Sequence, residues 1–251
     1  MTPGILALLV LAAFAAGVVD AVAGGGGLVT LPALIATGLP PHLAIATNKG
    51  QAVFGVLASY LRFRRAGMIE AERAKVAFPA GFVGSLAGAG LLLLVSPQAL
   101  KPIVLGLLVA VAAFLAFRPP TAPRPRARPL PKLPTAAAIA LVVGCYDGFF
   151  GPGTGTFLIV AFVALLGDGL AQASASAKVV NLASNLAAFA LFAWRGTILW
   201  QVALPMAVGQ MGGSWVGAHL AVKRGDAFVR KVVLAVVVAL VAKLGRDLLV
   251  R

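Results

Sequence analysis

Charged residues are scarce in this chain of 251 residues. Asp, Glu, Lys and Arg together make up 11% of it, against about 25% in soluble domains. Hydrophobic residues make up 61%, and a soluble fold of this length has too little interior to bury that much apolar side chain. The shortage of charge therefore excludes a soluble globular protein and indicates lipid as the solvent.

Residues that hold metals or act as nucleophiles are also rare. The chain has one cysteine, Cys145, and two histidines, His42 and His219, which are far apart in sequence. One cysteine excludes an intramolecular disulfide, and no cluster of His and Glu marks a membrane-embedded enzyme. We therefore expect no enzymatic activity, no metal site and no cofactor.

Acidic residues number 7 against 21 basic ones, which gives a net charge of +14. Such a charge could indicate binding to nucleic acid. The cations lie mainly in the gaps between apolar segments, however, and this is the pattern of the positive-inside loops of membrane proteins. We expect a lipid bilayer, and not nucleic acid, as the partner of this surface.

Apolar segments recur along the whole chain, and a membrane span needs about 20 apolar residues. Two shorter apolar pieces, 28–39 and 156–167, follow glycine-rich stretches and are predicted half-spans or re-entrant segments. The predicted spans are 4–23, 42–61, 76–95, 102–117, 135–150, 179–194, 202–222 and 231–249.

A motif occurs twice inside this apolar background. Asp20 precedes the glycine run Gly24–Gly27, and Asp147 precedes a second glycine-rich stretch over 151–155. Three further blocks repeat at a constant offset of 129 residues, close to the offset of 127 between the two aspartates. The sequence therefore predicts an all-α polytopic membrane protein of two homologous halves, 1–117 and 135–251, joined by a Pro/Arg-rich cytoplasmic linker over 118–134. Its helices should be broken or re-entrant at the glycine motifs.

The two halves could have the same orientation in the membrane (parallel) or opposite orientations (inverted). Parallel and inverted halves place the same number of cations on each side of the membrane, so the charge rule does not choose between them. The charge-rich loop is the second loop of the first half but the third loop of the second half. That exchange favours inversion.

Glycine runs leave backbone N–H and C=O groups unpaired, which lipid cannot satisfy. Such stretches are tolerated in a membrane protein where they allow tight helix packing or where they line a polar cavity. In a cavity, the free N–H groups at the start of a half-helix can bind an anion. Matched runs next to an aspartate favour a substrate site. Its predicted members are Gly24, Gly25, Gly26, Gly27, Gly151, Gly153, Thr154 and Gly155.

Lys49 and Lys178 occupy matched positions at the start of apolar segments. Each could extend to the membrane interface or attract an anionic substrate within the membrane. The matched positions favour an anion site, in which neighbouring polar side chains supply hydrogen bonds. Those neighbours are Thr47, Asn48, Gln51, Asn181 and Asn185.

Asp20 and Asp147 lie inside predicted spans, shortly before the two glycine motifs. Two roles are open to them. They could pair with the two lysines as structural ion pairs, or they could titrate and couple transport to protons.

Two Gly-xxx-Gly pairs, 84/88 and 213/217, permit close helix approach in lipid. Packing within one chain and a homodimer face are both compatible with them.

Several of these residues resemble the TauE/SafE sulfite exporter family, also called the toluene sulfonate uptake permease family. In the first half the resemblance rests on Asp20 with Gly24–Gly27, on residues 31–34 and on the Ala-Thr-Asn-Lys block ending at Lys49. In the second half it rests on residues 148–155 with Lys178, Asn181 and Asn185. The resemblance covers about residues 10 to 220. It implies a multi-pass permease of the bacterial inner membrane for sulfite or organosulfonates such as sulfoacetate, commonly in the direction of export.

The sequence as a whole predicts a secondary transporter that moves a small anion by alternating access between the two glycine breaks. An anion channel and an importer of another small anion are the alternatives. Ala177 stands where the first half has Asn48, so the two halves cannot bind a ligand identically.

Overall fold

A computed structural model describes residues 2–117 and 131–249 of the chain. Most of the predicted linker, residues 118–130, lies outside the described residues. The described part is helical and contains no β-strand. Its helices are α1 (Pro3–Ala23), α2 (Gly27–Ala36), α3 (Pro41–Arg65), α4 (Ala71–Leu94), α5 (Pro97–Phe117), α6 (Lys132–Phe149), α7 (Thr154–Leu166), α8 (Leu170–Trp194) and α9 (Trp200–Leu249).

Among the described residues, α1, α4 and α8 are each long and apolar enough to cross a bilayer by length and composition alone. Helix α9 is 50 residues long and joins two predicted spans. Its one non-helical residue is Gly225, at φ 62° and ψ −158°. Glycine adopts a positive φ at little cost. The boundary predicted between the spans 202–222 and 231–249 is therefore a kink at Gly225 within one long helix.

The predicted start of the span at residue 179 is wrong, because α8 begins at Leu170. The Ala- and Ser-rich residues before Lys178 are apolar or small enough to continue a buried helix. Lys49 and Lys178 therefore lie about two helical turns inside α3 and α8, and not at the start of an apolar segment.

Both glycine motifs interrupt helices, as the sequence predicts. Helix α1 ends at Gly24, whose φ of 75° is left-handed, and α2 begins three residues later. In the second half Gly151 and Gly153 have φ of 96° and 85°, between α6 and α7. The predicted short segments 28–39 and 156–167 correspond to α2 and α7.

Glycine residues allow the first helix of each half to pack closely on a helix of the other half: α1 on α9, and α6 on α4. Along α1 and α9, a Cβ built on Gly209 would lie 2.5 Å from the carbonyl oxygen of Val10, and one on Gly217 would lie 2.5 Å from that of Val18. The two helices therefore run parallel. Gly84 and Gly88 of α4 pack in the same way on the backbone of α6. These close approaches within the chain occupy the Gly-xxx-Gly faces, so those faces do not supply a dimer interface.

Two apolar clusters flank the polar residues. Helix α3 contributes Ile45 to one cluster and Phe63 to the other. Helix α8 contributes Val180 to one and Phe192 to the other. Lys49 on α3 and the polar face of α8 that begins at Asn181 therefore lie between two apolar layers, where water has little access.

Candidate functional site

Two buried ion pairs connect the halves. Lys49 Nζ of the first half lies 2.7 Å from Asp147 Oδ1 of the second, and Lys178 Nζ of the second half lies 2.9 Å from Asp20 Oδ2 of the first. The lysine side chains are 2% and 0% exposed, so neither reaches the membrane interface. An ammonium group inside a membrane protein needs such a partner because an unpaired charge there is costly.

The carboxylate of Asp147 accepts four hydrogen bonds, which come from three different helices. Lys49 Nζ and Thr154 Oγ1 donate to Oδ1, the latter over 2.9 Å. Ser184 Oγ and Asn185 Nδ2 donate to Oδ2, the amide over 3.2 Å. These hydrogen bonds connect α3, α7 and α8 through one carboxylate of α6.

Asp20 is held more loosely. Among the described residues its carboxylate accepts one hydrogen bond, from Lys178. Lys178 Nζ also donates to the backbone oxygen of Asp20 over 2.5 Å. The Asp20 side chain is 13% exposed, against 4% for Asp147. The two pairs thus match in sequence position but differ in environment.

The two glycine breaks meet in backbone contact. A Cβ on Gly24 would lie 2.5 Å from the nitrogen of Thr156 and closer still to Gly155, so only glycine fits there. Thr156 Oγ1 donates to the carbonyl oxygen of Ala23, at the end of α1, over 2.7 Å. This bond satisfies one of the carbonyls that a helix end leaves unpaired.

The starts of α2 and α7 carry no side-chain cap. The N-cap residues are Gly26 and Gly153, and neither makes a side-chain hydrogen bond. The N–H groups of a first helical turn and the helix dipole favour an anion. At the start of α2, however, the N–H groups of Leu28 and Val29 already donate to the carbonyl oxygens of Gly25 and Gly26, so an anion site at these two ends stays a prediction.

A cavity of about 30 Å³ lies where these elements meet. That volume holds about one or two water molecules. Four residues around it were not predicted from sequence: Thr30, Ala52, Val56 and Gln210. The predicted residues that line it are Asp20, Gly24, Gly27, Asn48, Lys49, Asp147, Gly151, Thr154, Gly155, Asn181 and Asn185.

The other predicted site residues lie beside the cavity without lining it. Lys178 reaches only Asp20. Gln51 donates to Asn48 Oδ1 over 3.0 Å, and Thr47 accepts from the backbone N–H of Leu199. The remaining three are glycines of the breaks: Gly25, Gly26 and Gly153.

Sequence reasoning missed Gln210 and Ser184 as site residues. Gln210 lies on α9, is 2% exposed and lines the cavity, and its Oε1 has no hydrogen-bond partner among the described residues. Asn181 Oδ1 is also unpartnered. The available signal was a polar side chain within an apolar span, which marks a functional position in membrane proteins.

A second group of buried charges lies apart from the cavity. Arg73, at the start of α4, makes two hydrogen bonds to the carboxylate of Asp168, which precedes α8. Its Nη1 also donates to Ser176 Oγ over 3.1 Å, and its Nη2 lies 3.0 Å from the carboxylate of Glu70. Arg73 is 3% exposed, so this cluster is a further ionic link between the halves.

The geometry around the cavity suits a small polar solute. Four charges of alternating sign, two uncapped helix starts and several amide and hydroxyl groups converge within an apolar surround. This arrangement can bind and release such a solute.

Comparison with known proteins agrees with this architecture. The family model for the sulfite exporter TauE/SafE matches residues 9–244. A "Probable membrane transporter protein" of Haemophilus influenzae is 38% identical over 97% of this chain and 95% of its own length. "Probable membrane transporter protein YfcA" of Escherichia coli is 37% identical over 98% of this chain and 92% of its own. "Probable membrane transporter protein ORF9" of a Sinorhizobium species is 36% identical over 97% and 93%.

No solved structure matches the chain. The relatives are named as transporters of bacterial membranes, and this chain is a multi-pass transporter of the inner membrane and not an enzyme. A family model that spans nearly the whole sequence, together with full-length relatives of similar identity, establishes that the chain belongs to the sulfite exporter TauE/SafE family.

Proposed function

We propose that this transporter moves a small sulfur-containing anion, sulfite or an organosulfonate such as sulfoacetate, by alternating access. The observation that carries the proposal is Lys49, a buried ammonium group on the cavity surface whose one ionic partner, Asp147, comes from the other half of the chain. Thr154, Asn181 and Asn185 line the same cavity and offer hydroxyl and amide donors to the oxygens of an anion.

The cavity supports alternating access because it is too small for the proposed substrate. A sulfite ion has four heavy atoms and needs more room than about 30 Å³ provides. The helices around the cavity must therefore move apart before such an anion enters, as a carrier requires and an open channel does not.

We further propose that the two halves are inverted. A Cβ on Gly50 of α3 would contact Ile198, and one on Gly55 would contact Gln210, so α3 runs parallel to α9. By the same reasoning, Gly81 of α4 meets Val180 and Ser85 Oγ donates to the carbonyl oxygen of Ser184, so α4 runs parallel to α8. Helices α3 and α4 are antiparallel because a short loop joins them. Helices α3 and α8 are matched by the repeat, and they then run in opposite directions, as transporter repeats of inverted topology do.

With inverted halves, the distribution of cations indicates which end of the helix bundle faces the cytoplasm. The loop after α3, the start of α6 and the kink at Gly225 lie at one end, and cations are concentrated there, as expected of the cytoplasmic side. A secondary transporter runs down the sum of its gradients, so export is the expected direction when the anion accumulates inside the cell beyond any opposing gradient of a coupled ion.

A flux assay in liposomes tests the substrate and the site together. Purified protein is compared on sulfite, sulfoacetate, taurine, sulfate and chloride, with Lys49→Ala and with Lys75→Ala as its control. Lys75 pairs with Glu72 on the surface, where its side chain is 69% exposed. Loss of a hydrogen bond to a charged group predicts that Lys49→Ala lowers flux of the preferred anion about 10-fold to 100-fold, while Lys75→Ala leaves it unchanged. Unchanged flux of every anion in Lys49→Ala would refute the site.

The two alternatives predict different kinetics. For a carrier, unlabelled sulfite on the far side of the membrane accelerates the uptake of labelled sulfite. The reason is that the substrate-binding site returns across the membrane faster when it is occupied than when it is empty. An anion channel shows no such acceleration. An importer of another anion shows it only with that anion, and sulfite then fails to compete.

A further inference from the structure

We infer that Asp20 carries a proton together with the transported anion, while Asp147 remains ionised and anchors Lys49. This inference rests on the proposed transport of an anion. It assigns different roles to two aspartates that occupy equivalent positions in the sequence, Asp20 followed by Gly24 and Asp147 followed by Gly151.

The charge balance of the site requires an added proton. Lys49, Lys178, Asp20 and Asp147 sum to zero when all four are ionised. A monoanion bound among them would leave one uncompensated negative charge in a site shielded from water, which is costly. One proton on one of the two carboxylates restores neutrality.

Asp147 is poorly suited to take that proton. Its two oxygens already accept from Lys49, Thr154, Ser184 and Asn185. A proton on Asp147 would displace or reverse at least one of these hydrogen bonds, and it would neutralise the only anionic partner that Lys49 has among the described residues. The buried ammonium group would then be stranded.

Asp20 meets the opposite conditions. Its carboxylate accepts from Lys178 alone among the described residues, so one oxygen is available for a proton. Lys178 would keep the backbone oxygen of Asp20 as an acceptor at 2.5 Å, and this group cannot titrate. Asp20 also lines the cavity, where a protonated carboxyl can donate to the bound anion and an ionised one would repel it.

The elements packed around Asp20 present few other titratable groups. Helix α8 presents Lys178, α3 presents Lys49, and α6 presents Asp147 across the cavity. Helices α2 and α7 carry no titratable residue. On α9, His219 Nδ1 accepts from Arg62 at 3.4 Å in an exposed pair, outside the cavity. Asp20 is thus the carboxyl group that can exchange a proton while its lysine keeps an acceptor that does not titrate.

The test uses methanesulfonate, a sulfonate that stays a monoanion across the working pH range, so that any proton exchanged belongs to the protein. Full-length protein in liposomes is given a pH difference of one unit, acidic outside, and equal methanesulfonate on both sides. Cotransport of one proton with one anion predicts about tenfold accumulation inside the wild-type vesicles.

Asp20→Asn and Asp147→Asn then separate the two roles. Asp20→Asn cannot exchange a proton, so we expect accumulation to fall to about onefold and the counterflow that it supports to lose its dependence on pH. Asp147→Asn removes the anionic partner of Lys49, so we expect counterflow and accumulation to fall together. Asp20→Glu should restore the response to the pH difference. Tenfold accumulation by Asp20→Asn, or counterflow without accumulation in Asp147→Asn, overturns the assignment.

A measurement on the wild-type protein keeps the inference refutable even if Asp20→Asn does not fold. Detergent-solubilised protein in weak buffer is mixed with methanesulfonate, and a pH indicator reports proton uptake. One proton taken up per bound anion is the expected result, and anion binding without uptake overturns the inference. The absence of any anion counterflow in the wild type instead rejects the proposed function itself.

Discussion

The contact between the two glycine breaks can be tested by adding single methyl groups. Gly24→Ala introduces two separate costs. The residue has φ of +75°, and its Cβ would lie 2.5 Å from the nitrogen of Thr156. Two other glycines of the chain each have one of these two features and serve as controls. Gly38 has φ of +87° and open space around it, whereas Gly155 lacks a positive φ but would clash with Gly24.

The magnitudes follow from these geometries. Gly38→Ala should lower the free energy of unfolding by about 1–2 kcal/mol, the cost of a left-handed alanine. Gly155→Ala should lower it by about 1–3 kcal/mol through overpacking, offset by up to about 1 kcal/mol of helix propensity. Gly24→Ala carries both costs, about 2–5 kcal/mol in sum, because the clashing atoms are backbone and have no rotamer to change.

Thermal unfolding in detergent measures these differences. At about 2–4 °C per kcal/mol for a chain of this size, Gly24→Ala should melt about 4–20 °C below wild type and clearly below Gly38→Ala. Liposome flux should survive Gly38→Ala and be lost in Gly24→Ala. If Gly24→Ala melts no lower than Gly38→Ala, the two breaks are not in backbone contact and the site as described is wrong.

Two further predictions concern links between the halves. Arg73→Met leaves Asp168 buried without its partner, so the free energy of unfolding should fall by about 3–5 kcal/mol. Lys75→Met removes an exposed ion pair and should lower it by less than about 1 kcal/mol. Equal melting temperatures of the two variants would refute the burial of the Arg73 cluster. Gly88→Ala places a methyl against the backbone of α6, so it should destabilise by about 1–3 kcal/mol, while Gly90→Ala points into open space and should melt like wild type. Comparable losses in both glycine variants would contradict the α4–α6 packing.

Helical content and the positions of the breaks were predictable from sequence because both depend on local chemistry. An apolar segment in lipid must satisfy its backbone internally and therefore becomes a helix. Glycine runs weaken that helix wherever they occur, and Gly24 and Gly151 do end helices as expected. Boundaries were less predictable: the sequence around Lys178 resembles a polar loop until its burial among other helices is known.

The partners of the charged residues could not be read from the sequence. Lys49 and Asp147 are separated by 98 residues, and nothing local distinguishes a lysine that pairs across the halves from one that extends to the interface. The equivalence of Asp20 and Asp147 in the repeat also conceals their difference, because the additional donors to Asp147 come from α7 and α8.

The sequence by itself determined that this chain lies in a membrane and that glycine breaks and lone charges occur at matched points of the two predicted halves. These properties follow from composition and spacing, which act over a few turns of helix. The tertiary structure alone decided that each lysine pairs with the aspartate of the opposite half, that Gln210 borders the cavity and that one carboxylate is saturated with donors while the other is not. Such contacts are set by how helices distant in sequence cross one another, and crossing positions depend on the packing of all of them together.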